Sequence, residues 1–348
     1  MKKILLFILI VLSFFVLDGC KRDKYTIALI TDVGDIDDKS FNQGAWEGVL
    51  MYAEGKDVTY EYYKPTDQGT DEYLAAIDLA ISNGAEIIIT PGYLFEDTIN
   101  IAQKQYPNVK FVLLDGSPEF VEGGTIEENT YSVLYAEEQS GYLAGYAIVK
   151  EGYRDLAFMG GMAVPPVVRF GYGFVLGADA AAQELDVNVN IKYGYVETFK
   201  EGPEVKSTAV ALYNQGVEVV FACGGSIGQS VMSAASDANA KVIGVDVDQS
   251  SDSPTVITSA MKGLRESVAM ALEAYFNGKW DTVGGKSVVL DASQNGVGLP
   301  MDTSRFENFT EEEYNALFKK MADGEIEINV DVDSFNDLDV VNTTISGY

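Results

Sequence analysis

Apolar and polar positions alternate in blocks along the chain. Short continuous apolar runs trade places with stretches in which apolar residues return every three or four positions. Residues 25–31 form an early run; Trp46, Val49, Leu50 and Ala53 then recur at helical spacing, and Gly55 follows as a stop. The same reading predicts strands at 58–63, 86–90 and 109–114, with helices at 71–83 and from the 91–93 turn to 106. An extended stretch at 131–135 precedes a helix at 138–149, made thin by Gly141, Ala144, Gly145 and Ala147. A second set follows, with strands at 155–159, 189–193, 217–223 and 241–245 and helices at 170–185, 204–215 and 229–239. Strand 256–261, helix 263–277 and strand 287–290 come next, then an irregular acidic segment with one helix at 310–323, opened by a Thr-x-x-Glu capping signal. Such alternation predicts an α/β protein whose right-handed βαβ units build parallel sheets, and the two sets suggest two lobes.

Open α/β sheets bind ligands at the carboxyl ends of their strands, so the loops there carry the candidate chemistry. The loop 30–43, ITDVGDIDDKSFNQ, concentrates Asp32, Asp35, Asp37 and Asp38 with Ser40, Phe41 and Asn42. Equivalent loops hold Gly92-Tyr93, Asp115-Gly116, Arg169-Phe170, Phe199, Gly224-Gly225-Ser226 and Asp246-Val247-Asp248, with Lys262 ending a late strand. Aromatic faces, carboxylates and a few cations suit a small polyhydroxylated or heterocyclic ligand. Stacking contributes about 1–3 kcal/mol per aromatic, and carboxylates accept hydrogen bonds from adjacent hydroxyls. Each aromatic has core packing as its competing role, and each carboxylate has helix capping or a solvated turn.

Composition narrows the function classes. With 24 basic and 53 acidic residues in 348, the formal charge of −29 opposes nucleic-acid backbones and anionic membranes. The chain contains no histidine, which removes His-based triads, His metal sites and imidazole acid–base catalysis. A basic Met1-Lys2-Lys3 leads into an apolar run at 4–17, too short to span a bilayer comfortably but suited to a signal peptide. The run ends in Leu17-Asp18-Gly19-Cys20, which resembles a bacterial lipobox with Cys20 as the lipidated new amino terminus, although Asp18 replaces the usual small residue. A plain signal peptide is the alternative. Lipidation would anchor the protein to a membrane without spanning it. Cys223, the other cysteine, reads as a small buried hydrophobe at a strand end.

The segment TDVGDIDDKSFNQGAWEG, followed in order by ITPGY, FVLLDG, EEQSGYLAGY, FACGGSIG, VIGVDVDQ and TSAMK, resembles the basic membrane protein family of bacterial lipoproteins. The likeness runs from about Tyr25 to the end of the chain. That family comprises purine-nucleoside-binding components of ABC importers. The resemblance implies a type I periplasmic-binding-protein fold: two Rossmann-like lobes joined by three crossings, with the ligand in the cleft. It also implies a division into a signal peptide at 1–19, a lipidated tether at 20–24, a first lobe of 25–130 with 249–281, and a second of 131–248 with 282–348. By the same resemblance, Phe41 would stack on the purine while Asp32 and Asn42 would bond the base edge. Asp246 would take the ribose hydroxyls and Lys262 would reach the sugar. Gly92, Tyr93, Asp115, Gly224 and Gly225 would line the pocket. Phe199 is the first choice for the opposing aromatic, with Phe170 or Phe174 as alternatives. Arg169 would either contact ligand or form an interlobe ion pair. The implied partners are a purine nucleoside (inosine, guanosine or adenosine), an ABC permease with its ATPase, and the membrane through the lipid.

Other readings compete. Asp37-Asp38 or Asp246 with Asp248 could hold Mg²⁺ in an enzyme, yet no Walker-type Gly-Lys-Ser/Thr loop is present. An EF-hand reading of 32–43 fails because Gly34 falls at a ligand position and Gln43 replaces the closing Glu. No cofactor is expected. The same fold could also take a sugar, an amino acid or a vitamin, or serve as a surface adhesin without a small ligand.

Overall fold

The computed structural model describes residues 25–348, so the signal peptide at 1–19, the tether at 20–24 and Cys20 lie outside the described residues. The first sheet contains β1 (Ile27–Ile30), β2 (Tyr60–Tyr63), β3 (Ile87–Pro91), β4 (Lys110–Leu114), β5 (Thr130–Tyr135) and β11 (Lys286–Leu290). They lie in the order β2-β1-β3-β4-β5-β11, all parallel. The second sheet contains β6 (Asp155–Gly160), β7 (Val189–Tyr195), β8 (Val219–Cys223), β9 (Lys241–Asp246), β10 (Val256–Lys262), β12 (Val297–Gly298) and β13 (Thr343–Gly347). Its order is β13-β7-β6-β8-β9-β10-β12, parallel except for the short β12. Both sheets therefore repeat one doubly wound order, with the first strand flanked by the second and third. The topological switch point falls between β1 and β3 in one lobe and between β6 and β8 in the other. The two-lobed parallel architecture is the one the alternation implied.

Sheet membership differs from the expected division at three strands. β5 lies in the first sheet, paired with β4, although 131 onward was expected in the second lobe. β10 was expected to return to the first lobe, but it pairs with β9 in the second. β11 was expected in the second lobe and instead extends the first sheet beside β5. Each lobe takes its own fifth strand, β5 or β10, before the chain leaves it, and β11 joins the first sheet on a later return. Only the helix after β10, Leu264–Phe276, lies on the first lobe. There it approaches the Phe41–Ala53 helix so closely that a Cβ on Gly48 would lie 2.8 Å from the Arg265 carbonyl oxygen.

The chain crosses between lobes three times: after β5, after β10 and after β11. These crossings are laced together by Ala136 N donating to Leu290 O (3.0 Å), Gly263 N to Gly296 O (2.8 Å) and Ala292 N to the Gln139 side-chain oxygen (2.8 Å). The first crossing enters the Glu137–Glu151 helix, which packs parallel to Pro165–Leu185 at unusually short range. A Cβ on Gly141 would stand 2.1 Å from Phe170 O, and one on Gly177 would stand 2.0 Å from Tyr142 O. Small residues make this approach possible, and larger ones would overpack it.

The 165–185 helix begins five residues earlier than expected. Pro165 and Pro166 occupy its first turn, where the missing N–H costs nothing. In the acidic tail, the Glu311–Ala322 helix carries the expected capping box, with Thr310 Oγ1 accepting from Glu313 N at 3.2 Å. The unexpected β12 and β13 extend the second sheet at its two edges. β13 is fastened by the buried Asp179 carboxylate, which accepts from Val341 N (3.1 Å) and Asn342 N (2.8 Å).

Candidate functional site

The two switch points face each other across a cavity of about 240 Å³. Asp32, Phe41, Asn42, Gly92, Tyr93 and Asp115 line it from the first lobe. Phe170, Phe199, Gly224, Gly225, Asp246 and Lys262 line it from the second. Two of the expected positions fall elsewhere. Arg169 does not line the cavity: because its segment is helical rather than a loop, its Nε turns to Glu137 Oε2 at 2.6 Å, an ion pair at the first crossing. Phe174 is fully buried in the core, edge-on to Phe221 with ring centroids 5.4 Å apart, so it is not an opposing aromatic.

On the first-lobe side, the acidic loop sorts its carboxylates by role. Asp38 is a capping residue: it accepts from Ser40 N (2.9 Å), Asn42 N (3.1 Å) and Gln43 N (3.1 Å) at the start of the Phe41–Ala53 helix. Asn42 Nδ2 bridges Asp38 Oδ2 and Asp32 Oδ1 at 3.0 Å each, and Gly34 N also donates to Asp32 Oδ1 (2.9 Å). This leaves Asp32, half-buried, as the oriented carboxylate on the cavity wall. Its burial pushes its pKa up, with Gly34 and Asn42 pulling it back. Asp35 pairs with Lys64 at the surface, and Asp37 is exposed on the rim.

The second lobe supplies an aromatic and a charge cluster. Phe199 packs closely against glycines: a Cβ on Gly161 would meet its ring at 2.4 Å and one on Gly224 at 2.9 Å. Lys262 is only 4% exposed and bonds Asp115, with Glu137 Oε1 at 3.2 Å and Asp246 Oδ1 at 3.8 Å. Its ammonium also sits 4.9 Å from the Phe41 ring centroid and 5.3 Å from that of Phe170. Burial alone would lower the Lys262 pKa, but Asp115, Glu137 and Asp246 together raise it, so it stays charged. Burial pushes Asp115 up to about 7 against the pull of Lys262. Burial likewise raises Asp246, whereas at Glu137 the paired Lys262 and Arg169 outweigh burial and lower it.

Asp115 and Asp246 share a backbone feature. Asp115 directly follows β4 and Asp246 ends β9, both in the left-handed region with φ of 58° and 67°, a conformation that non-glycine residues hold at a cost and that concentrates at functional sites. Polar bonds then cross the cleft. Ser40 Oγ donates to Asp246 Oδ2 at 2.5 Å, and Gln249 Nε2 donates to Lys39 O at 2.7 Å. Glu137 was missed by sequence reasoning. It opens the helix two residues past the end of β5, and no local signal marks it. Ser40 was seen within the acidic loop but not as a partner of Asp246.

The arrangement is a two-walled pocket that can hold a small ligand by stacking and hydrogen bonds. A family model described as "ABC transporter substrate-binding protein PnrA-like" matches residues 25–331. The chain is 28% identical over 328 residues to the "ABC transporter nucleoside-binding protein BmpA" of Lactococcus lactis subsp. cremoris, with 88% of each protein covered. It is 28% identical over 312 residues to "Basic membrane protein B" of Borreliella burgdorferi, with 87% of each covered. Among solved structures, a solute-binding protein of an ABC transporter system from Aeropyrum pernix superposes with a TM-score of 0.76 at 23% identity. That match covers 90% of this chain and 95% of the other, a likeness of fold. The extent of the family match settles the question of kinship: this chain belongs to the Bmp family of PnrA-like ABC transporter substrate-binding proteins.

Proposed function

We infer that the protein binds a purine nucleoside in the cleft between its lobes and delivers it to an ABC permease. One observation carries this reading: a single cavity gathers the Phe41 and Phe199 rings, the oriented Asp32 carboxylate, and Asp246 beside the buried Lys262. A purine stacked on Phe41 gains about 1–3 kcal/mol from that ring. Its N–H groups find an acceptor in Asp32, and ribose hydroxyls find one in Asp246. The name of the Lactococcus relative supports a nucleoside ligand. Cys20, following the apolar run at 4–17, would carry the lipid that keeps the protein at the outer face of the membrane beside its permease and raises its effective concentration there. Binding energy selects and holds the ligand, hinge closure traps it, and no bond needs to be made or broken.

Isothermal titration tests the reading after the protein has been unfolded and refolded to strip carried-over ligand. The titrants are inosine, guanosine, adenosine, cytidine, ribose, galactose and a set of amino acids. Purine nucleosides are expected to bind with micromolar or tighter affinity while ribose stays silent, and Phe41→Ala is expected to weaken that binding by roughly 5- to 150-fold. A clear sugar or amino-acid response with silence toward every nucleoside would overturn the nucleoside assignment and leave the family unchanged.

A further inference from the structure

The cavity wall carries far more negative than positive charge, and its one buried cation is already engaged. Lys262 is held by Asp115, Glu137 and Asp246, and Glu137 is shared with Arg169. The other lysine on the wall, Lys200, is exposed to solvent. Against these stand Asp32, Asp37 and Glu201, for which no ion pair of 4 Å or less is formed among the described residues. The Lys262 ammonium lies within 5.3 Å of the Phe41 and Phe170 centroids, so these rings already face a cation.

We propose that the cavity prefers purine nucleosides with a positively charged base, such as N7-methylated guanosine, over uncharged bases of the same shape, and refuses their 5′-phosphates. This rests on the nucleoside reading above. A cationic base adds attraction to the ring faces and to Asp32, and it offsets the carboxylate excess in a site where water screens little. A 5′-phosphate would add to that excess of negative charge and would meet no free buried cation.

The test titrates the refolded protein at about pH 6 with guanosine, 7-methylguanosine, 7-methyl-7-deazaguanosine and guanosine 5′-monophosphate. The deaza compound has the shape of the methylated base without its charge. The cation is expected to bind about tenfold tighter than this neutral isostere, and the nucleotide about a hundredfold weaker than guanosine. The advantage of the cation is expected to shrink in high salt and in the rim variants Asp37→Asn and Glu201→Gln, both at exposed positions. An isostere that binds as tightly as the cation overturns the proposal, as does a nucleotide within tenfold of guanosine. Exclusion of both methylated compounds while guanosine binds also overturns it, without touching the nucleoside reading. Silence toward guanosine and both methylated compounds overturns the proposal, and the nucleoside reading falls with it only if inosine and adenosine are silent as well.

Discussion

The two walls of the cavity are organised on different terms. The first-lobe wall is self-contained: Asp32, Asn42 and Asp38 form one hydrogen-bonded unit whose donors all come from residues 34–43. The second-lobe wall completes its bonding in the other lobe. Asp246 takes the Ser40 hydroxyl, and Lys262 takes the Asp115 carboxylate. One half of the site is thus organised by its own helix start, while the other adds bonds from the first lobe to the contacts Lys262 already makes with Glu137 and Asp246.

The comparison breaks most forcefully at Lys262. Lys262→Met leaves Asp115, Glu137 and Asp246 around an apolar side chain, and we expect a loss of about 3–5 kcal/mol in urea unfolding at neutral pH. The deficit should narrow in acid as the carboxylates protonate; an unchanged midpoint at neutral pH would refute the role assigned to the ammonium. Asp38→Ala attacks the preorganised wall instead. It strips the helix start of its acceptor and should cost about 2 kcal/mol, lowering the Tm of ligand-free and loaded protein alike.

A pH series sharpens the contrast without mutation. Asp115, raised from 3.8 to about 7, binds its proton more tightly folded than unfolded, so its contribution favours the fold in acid and declines as pH rises from about 4 through about 7. The expected outcome is a higher urea midpoint for ligand-free protein at about pH 5.5 than at about pH 8, by on the order of 1 kcal/mol. A midpoint that rises over that interval would contradict the charge excess in the site. The smallest effect on stability is expected at Ser40. Ser40→Ala removes one interlobe bond, about 0.5–1.5 kcal/mol, and should show chiefly as faster ligand release in stopped-flow traces, with Ser40→Thr restoring the slower rate. Equal release rates for the alanine variant and the native protein would show that this bond does not hold the cleft shut.

Much of the site was legible because its residues end strands. Asp32, Asp115 and Asp246 each follow a buried apolar run, and Phe41 and Asn42 open the helix after the first of them. Glu137 was not legible. An acidic residue in the first turn of a helix is ordinary dipole chemistry, and only the packing of that helix brings it onto Lys262 and Arg169. Of the two roles open to Arg169, ligand contact or ion pair, the structure gives the ion pair: Pro165-Pro166 begin a helix where the sequence suggested a loop through 169, and that helix turns the guanidinium to Glu137 rather than to the cavity.

The sequence alone determined the α/β alternation, the strand ends that carry the chemistry, the capping box at Thr310 and the acidic, histidine-free character of the protein. These follow from local periodicity and residue type, which neighbouring residues express by themselves. Only the tertiary structure decided which sheet receives β5, β10 and β11, which carboxylates cap backbone and which surround Lys262. The physical reason is that a buried apolar strand reads the same in either sheet. Its partner is chosen by hydrogen bonds to residues far away in sequence, such as Lys286 beside Tyr131, and no local pattern records that choice.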